Sequence, residues 1–516
     1  MANTVLKEEK DILQTIIEDK KRGLSDVEIG KKYNITYRQL EKIITKATGI
    51  SISSFIQHKK IKALEPKDFK EQTTTVWSFK QRGNWATHSG EYRGNWSPYI
   101  PRNVILKYSK PGEIVLDYFC GAGTTAVEAK LLGRQCIALD INDRAIELAK
   151  RNIDFDINGL FAHVYEPQLL VGDARDLSFL SDNSIDLICA HPPYANIIHY
   201  TNHKEGDLSF YEIGEFLQEM AKVAKESYRV LKPGRKCAIL IGDMRRHKHV
   251  VPLGFKLINT YLDAGFKLKE LVIKRQHNCK TTGFWYSNSI KYKFLLLAHE
   301  YLPIFEKPLT EALHLKEEPA DYGSIPSLLK SVSFKEKLKE LETTTVWIFP
   351  ENRMEQLLNK NVIERYRAQD GYRIIDISSG SGKSYNKIKK KKRLLLIKSS
   401  ILKEKEATQL DITLYISKLQ DTLKNELPSI EREGYYVIQT RDIRLGEHIE
   451  PLAKYIIDAI NFPDFLLKEI VVVTTEDYKK RSWESEYKLN ITHEYLLVYE
   501  RIGDLCLQNE LYHVLM

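Results

Sequence analysis

The sequence predicts an α/β protein: a parallel sheet with helices on both faces, a helical segment before it and a second, degenerate α/β domain after it. Three observations predict this. From about residue 70 to 310, short apolar runs of strand length alternate with stretches of helical period. Two of those runs end in loops suited to the crevice beyond a parallel strand, Cys120-Gly121-Ala122-Gly123-Thr124-Thr125 and His191-Pro192-Pro193-Tyr194. Residues 340 to 516 then repeat the region in weakened form.

Residues 10 to 47 read as helical. A capping box, Ser25 with Glu28 three residues on, opens a helix that runs to Tyr33, and Thr36 caps the next one after the Asn34-Ile35 turn. That second helix carries Tyr37, Arg38, Gln39 and Lys42 outward. Two readings stand for residues 1–66: a helix-turn-helix whose second helix enters a major groove, or a small helical bundle packed on the main domain.

Within 67–310, Val104 to Tyr108 ends a helix before Pro111-Gly112, and Glu113 to Tyr118 is the first strand. Thr124 to Leu132 is helical, Gln135 to Leu139 the second strand, and Asn142 to Asn152 the next helix. Leu169 to Val171, Ile185 to Ala190 and Lys236 to Ile241 are later strands. A polar, proline-punctuated connector, 311–339, leads to the repeat at 340–516. There Thr73 to Phe79 recurs as Thr343 to Phe349, and Leu116-Asp117 as Ile375-Asp376. Asp243-Met244-Arg245 recurs as Asp442-Ile443-Arg444, and His299-Glu300-Tyr301-Leu302 as His493-Glu494-Tyr495-Leu496. The order is kept and one interval has shrunk, which marks an internal duplication.

A chain of 516 residues is too long for one core. No apolar run approaches the length of a membrane span, and the N-terminus has no signal-peptide pattern. Six cysteines without CxxC spacing suggest neither a zinc site nor a disulfide framework, so no metal and a reducing, cytoplasmic setting are expected. A net charge of +9 permits a polyanionic partner without requiring one.

The chemistry concentrates at the two loops. Gly121 and Gly123 let backbone approach a ligand, and Asp140, about twenty residues on at the end of the second strand, can accept both hydroxyls of a ribose. Asp173, after the third strand, is placed to receive an adenine amino group. Taken alone, this turn fits a plain Rossmann loop or any of several nucleotides. The downstream loop narrows the choice. Pro192 and Pro193 fix a rigid backbone whose carbonyls point into the crevice, and Tyr194 can stack on a base that has left its helix. Acceptors at His191 and the Pro192 carbonyl would draw the hydrogens of an exocyclic amine and aim its lone pair.

At these residues the chain resembles the amino-group DNA methyltransferases, which make N4-methylcytosine or N6-methyladenine from S-adenosylmethionine. Asp117-Tyr118-Phe119-Cys120-Gly121-Ala122-Gly123 is similar to their FxGxG cofactor motif, His191-Pro192-Pro193-Tyr194 to their (D/N/S)PP(Y/F) catalytic motif, and His88 to Pro101 to their upstream cofactor-side segment. The resemblance implies a Rossmann-like methyltransferase domain with S-adenosylmethionine on Asp117, Phe119, Gly121, Gly123, Thr124, Asp140 and Asp173. It implies catalysis by His191, Pro192, Pro193 and Tyr194 on a flipped DNA base, in a restriction-modification or defence setting with a companion subunit. Histidine departs from the Asp, Asn or Ser usual at position 191, yet a neutral imidazole still offers one acceptor. It decides neither base; the expectation leans to cytosine N4 over adenine N6.

Arg38, Lys204, Arg245, Arg246, Lys274 and Lys280 are the candidate nucleic-acid contacts, the Arg245-Arg246 cluster serving phosphates or simply solvating a sheet end. In the repeat, Ser378 to Ser384 keeps a glycine turn, but no Pro-Pro-aromatic follows before residue 440 and Lys387 and Lys389 to Arg393 form a basic run. The repeat is therefore expected to be non-catalytic, a built-in mimic of a second subunit. Two rival functions remain, an RNA base methyltransferase and a non-catalytic DNA-binding regulator.

Overall fold

The computed structural model describes residues 61–309, 341–476 and 488–502 with interruptions, and 15–19, 24, 26–35, 40 and 43 near the N-terminus. The interruptions fall at 62, 68, 89–91, 93, 158–163, 196–199, 202–203, 247, 278–288, 290–292, 367–370, 378–383, 387–391 and 399–406. Helix α1 (Asp26–Tyr33) is present, and Ile16, Ile29 and Leu40 share a small buried cluster. Ser25, Thr36 and Arg38 lie outside the described residues, as do Lys280, the 311–339 connector and the second glycine turn from 378 to 383.

The first sheet comprises β1 (Val76–Ser78), β2 (Ile114–Asp117), β3 (Gln135–Asp140), β4 (Gln168–Val171), β5 (Ile185–Ala190), β6 (Leu231–Ile239), β9 (Lys267–Arg275) and β10 (His299–Glu306). A separate antiparallel hairpin is made by β7 (Met244–Arg246) and β8 (His249–Val251). The spatial order is β1-β9-β10-β6-β5-β2-β3-β4. Helices α2 (Tyr99–Tyr108), α3 (Thr124–Leu131), α4 (Asp143–Ile153), α5 (Ile213–Val230) and α6 (Leu253–Asp263) accompany these strands. The central β5, Ile-Asp-Leu-Ile-Cys-Ala, is buried along its whole length, which is why it reads as a near-continuous apolar run. Asn142 begins α4 by accepting a hydrogen bond from the Arg144 amide, and Ala145, Ile146 and Ala149 form its buried face.

Two expectations change. The sheet is mixed, because β10 runs antiparallel to both β9 and β6, a pairing that needs no helical crossover. Strand β6 begins at Leu231 and not at Lys236. Pro233-Gly234 looks like a break, yet the strand passes through it on a register irregularity, with Gly234 at φ +77.

The second sheet contains β11 (Val346–Phe349), β12 (Tyr372–Asp376), β13 (Ser384–Asn386), β14 (Lys392–Lys398), β15 (Ile430–Thr440), β18 (Phe465–Thr475) and β19 (His493–Arg501). The hairpin β16 (Ile443–Leu445) and β17 (His448–Glu450) accompanies it. Its order, β11-β18-β19-β15-β14-β12-β13, is that of the first sheet as far as β12, the counterpart of β2. There the likeness stops. Where β3 and β4 continue the first sheet in parallel, the second has only the three-residue, antiparallel β13 among the described residues.

The halves meet through reciprocal contacts. Thr75 N donates to Asn490 O and Thr345 N to Leu296 O, each at 2.9 Å. Arg245 binds Glu469 and Arg444 binds Glu270, each at 2.5 Å. The Leu295 and Leu489 amides donate to those same two glutamates. Thr75 Oγ1 lies 2.9 Å from His493 Nδ1, and Thr345 Oγ1 2.9 Å from His299 Nδ1. Each contact has its mirror, as across a two-fold axis between identical subunits. One apolar core runs through both, taking Val76, Ile273 and Tyr301 from the first half and Val346, Val472 and Tyr495 from the second.

Candidate active site

The glycine turn after β2 is organised from behind. Asp117 is buried, its carboxylate accepting from the Phe119 amide at 3.0 Å and from Thr125 Oγ1 at 2.5 Å, and burial pushes it up to about 7. Gly121 and Gly123 adopt φ of +51 and +79. A Cβ on Gly121 would stand 2.9 Å from the Tyr92 ring, and one on Gly123 3.0 Å from Ala149 Cβ, so only glycine allows this approach. At the end of β3, Asp140 Oδ2 accepts from the Gly121 amide at 2.9 Å and Oδ1 from the Asn142 amide at 2.8 Å. Burial raises Asp140 to about 6 in spite of these two donors.

The described residues of 82–88 and 94–98 form a strap over this turn. Trp85 Nε1 and His88 Nε2 each lie 2.7 Å from Glu128 Oε1, and Arg102 donates to Oε2 at 2.9 Å. Glu128 sits fully buried on α3, so the strap is tied to the helix that the glycine turn starts. Thr124 Oγ1 donates to Asn95 Oδ1 at 2.5 Å, and Arg82 holds the Asn95 and Trp96 carbonyls.

Two clefts open beneath the strap. One, of about 680 Å³, is lined by Phe119, Gly121, Asp140, Asp173, His191 and Pro193. The other, of about 1080 Å³, is lined by Lys80, Arg82, Pro192, Tyr194, Lys274 and Glu300. Trp96 and His191 line both, their rings stacked at 5.5 Å and 22°. His191 therefore stands between the clefts. Its Nε2 lies 2.9 Å from Tyr194 Oη, which donates to Glu300 Oε1 at 2.9 Å. Burial pushes the imidazole down to about 4, so the ring is neutral at ordinary pH. The absence of a side chain at Gly242 makes room for the Tyr194 ring, which a Cβ there would meet at 2.9 Å.

The structure thus brings the strand-end loops after β2, β3, β4 and β5 to one place. Asp117, Gly123 and Thr124 stand behind the first cleft and shape it instead of lining it. Asp173 lines it with its carboxylate already engaged by Arg175, through Nε at 3.0 Å and the terminal nitrogen at 2.6 Å. Arg245, expected at a phosphate, is buried in the seam between the halves, where Glu469 and the Lys468 and Leu295 carbonyls take its donors. Arg246 pairs with Glu212, and Lys204 donates to the Ile141 carbonyl at 2.6 Å. Lys274 alone of the described cationic candidates lines a cleft. Sequence reading missed Glu300 and Glu128. Glu300 was visible only as part of the duplicated His-Glu-Tyr-Leu, with nothing to show that β10 carries it to Tyr194, in the loop after β5.

The chain matches the family described as DNA methylase over residues 6–151 and 185–375, and a methyltransferase domain over 116–239. It is 33% identical over 104 residues to a tRNA (guanine(10)-N2)-dimethyltransferase of Methanothermobacter thermautotrophicus, covering 20% of this chain and 29% of that protein. It is 34% identical over 91 residues to the type II methyltransferase M.SmaI of Serratia marcescens, covering 18% and 30%. The matches thus span about three tenths of these curated relatives. A solved S-adenosylmethionine-dependent methyltransferase of Methanosarcina mazei aligns at 18% identity with a TM-score of 0.29, covering 40% of this chain and 98% of that one.

Proposed function

Since the chain belongs to the DNA methylase family, we propose that it transfers a methyl group from S-adenosylmethionine to an exocyclic amine of a DNA base, N4 of cytosine before N6 of adenine. The observation that carries this reading is His191-Pro192-Pro193-Tyr194 lying between a cleft with a glycine turn and a second, cation-lined cleft.

The first cleft fits S-adenosylmethionine. A carboxylate, Asp140, meets it beside a glycine backbone that leaves no room for a Cβ, the chemistry a ribose diol and a close-lying chain require. Phe119, Gly121 and Asp140 would hold it, with Asp173 and Leu208 on the adenine side. When bound, it supplies an electrophilic methyl group on a sulfonium. The protein's own part is to position the amine. Tyr194 faces the second cleft, where a flipped base can lie, and His191 and the Pro192 carbonyl offer acceptors for the amine hydrogens. Drawing those hydrogens returns the nitrogen lone pair from the ring and aims it at the first cleft. Trp96 stacked on His191 keeps the imidazole from turning. Asp140, Asp173 and the Pro-Pro-Tyr loop have no counterparts in the second half, whose sheet ends at β13 among the described residues, so the methyl transfer belongs to the first half.

The second cleft does not choose the base. Adenine flanks N6 with two acceptors, N1 and N7, and cytosine presents N3 and O2 on the side of N4, so the Lys80 and Arg275 donors on that cleft suit either. The cytosine preference is carried over from the sequence.

Incubation with methyl-labelled S-adenosylmethionine and duplex DNA, single-stranded DNA or total RNA, followed by nucleoside mass spectrometry, tests the reading. Label in N4-methylcytosine from DNA is expected. N6-methyladenine would overturn the base preference, and label in RNA alone would transfer the activity to the polymer named for the tRNA-modifying relative.

A further inference from the structure

We propose that Lys274 and Glu300 are positioning residues that act through Tyr194 to set the tautomer of His191, with the proton on Nε2 and the lone pair on Nδ1. The inference deepens the proposed function and rests on it for its catalytic consequence.

Four side chains from two strands and one loop form a continuous chain. Lys274 on β9 donates to Glu300 Oε2 on β10 at 2.6 Å. Tyr194 Oη, beyond the end of β5, donates to Glu300 Oε1 at 2.9 Å, and His191 Nε2 lies 2.9 Å from Tyr194 Oη. The Lys274 and Glu300 side chains are only 19% and 9% exposed, so water competes little for these bonds.

Proton counting decides the rest. Burial would raise the Glu300 carboxyl, but the Lys274 ammonium beside it, with the hydrogen bonds from Lys274 and Tyr194, holds it below the usual range. It is a carboxylate, and a carboxylate only accepts. The single hydroxyl proton of Tyr194 therefore goes to Oε1, the charged and stronger acceptor. Tyr194 Oη is left to accept, and the only donor His191 can turn to it is Nε2–H. A neutral imidazole with its proton on Nε2 carries its lone pair on Nδ1. Apart from its burial, Glu300 and a hydrogen bond to the Gly94 backbone favour the charged ring, while Lys274 and Arg82 oppose it. The Gly94 carbonyl therefore competes with Tyr194 Oη for the single ring proton, and the Lys274–Glu300 pair, by claiming the Tyr194 hydroxyl proton, decides for Oη.

The duplicated half supplies an internal control. Trp77, Lys274 and Glu300 pair side by side across β1, β9 and β10, and Trp347, Val473 and Glu494 do so across β11, β18 and β19. The glutamate persists, but valine replaces the lysine. Glu494 takes a hydrogen bond from Gln439 at 2.8 Å, and burial raises its carboxyl. Where no Pro-Pro-Tyr loop exists, the cation that keeps the glutamate charged is gone as well.

Imidazole proton–nitrogen correlation spectra of the full chain labelled with ¹⁵N-histidine, recorded between pH 6 and 8 without substrate, test this directly, with His191→Gln identifying the signal. The expected spectrum is that of a neutral ring protonated on Nε2. In Lys274→Met the buried Glu300 takes up a proton and donates to Tyr194, whose own proton turns to the imidazole, so the ring converts to the Nδ1–H form. Lys274→Arg keeps the wild-type pattern. With labelled methyl donor, kcat in Lys274→Met falls by about tenfold to a hundredfold from mispositioning, while cofactor Kd stays unchanged. A wild-type ring protonated on Nδ1, or a tautomer that ignores Lys274→Met, overturns the proposal. If Lys274→Met does not fold, Tyr194→Phe replaces it: an unchanged single Nε2–H tautomer there overturns the proposal equally. Because the tautomer is read without turnover, a protein that methylates RNA or adenine can still pass this test.

Discussion

His191 and Asp140 both titrate away from their ordinary values, in opposite directions and for one cause, burial beside a cleft. They separate on a pH axis. Asp140 sits near 6, so as pH falls through that value its carboxylate is protonated and ceases to accept two hydroxyl hydrogens. S-adenosylmethionine Kd should therefore rise below about pH 6, as isothermal titration would show. His191, near 4, stays neutral through this range, so kcat at saturating cofactor should hold down to about pH 5. A kcat that falls in step with affinity would assign the acid limb elsewhere. Asp140→Ala should weaken cofactor binding by about tenfold to a hundredfold, the worth of hydrogen bonds to a charged group. His191→Ala should leave that affinity intact and abolish transfer.

Among the elements, the two hairpins show how a basic cluster can mislead. Arg245 on β7 and Arg444 on β16 resemble surface cations in sequence, yet each closes the seam onto a glutamate with almost no exposure. Removing either arginine leaves a buried carboxylate unpaired, which costs about 3–5 kcal/mol. Arg245→Ala and Arg444→Ala should therefore lower stability by similar amounts in denaturant unfolding. Arg246→Ala, whose partner Glu212 is 56% exposed, should cost less than about 1 kcal/mol. A seam-specific loss in only one of the two arginine variants would break the equivalence of the hairpins. The same scale supports the proposal that the second half does not catalyse: with β13 beside β12, no strand end among the described residues offers an acidic residue where β3 offers Asp140.

For the molecule as a whole, mirrored hydrogen bonds, mirrored ion pairs and one shared core describe two halves related as the subunits of a dimer would be. Cutting an engineered protease site within 311–339 should leave the pieces associated, co-eluting in gel filtration and still active with labelled methyl donor. Separation of the pieces at moderate salt would show that the connector, and not the seam, holds them. The sequence by itself determined the α/β class, the two strand-end loops, His191 and Asp140 as site candidates, and the duplication. All of these are local patterns, written in apolar period, in glycine and proline, or in repeated words. Only the tertiary structure decided that β10 runs antiparallel between β9 and β6, that Arg245 belongs to a seam, and that Glu300 reaches Tyr194. Those facts depend on which strands lie side by side. A residue's neighbour across a sheet is set by packing between segments 106 positions apart in the case of Tyr194 and Glu300, and no local pattern records it.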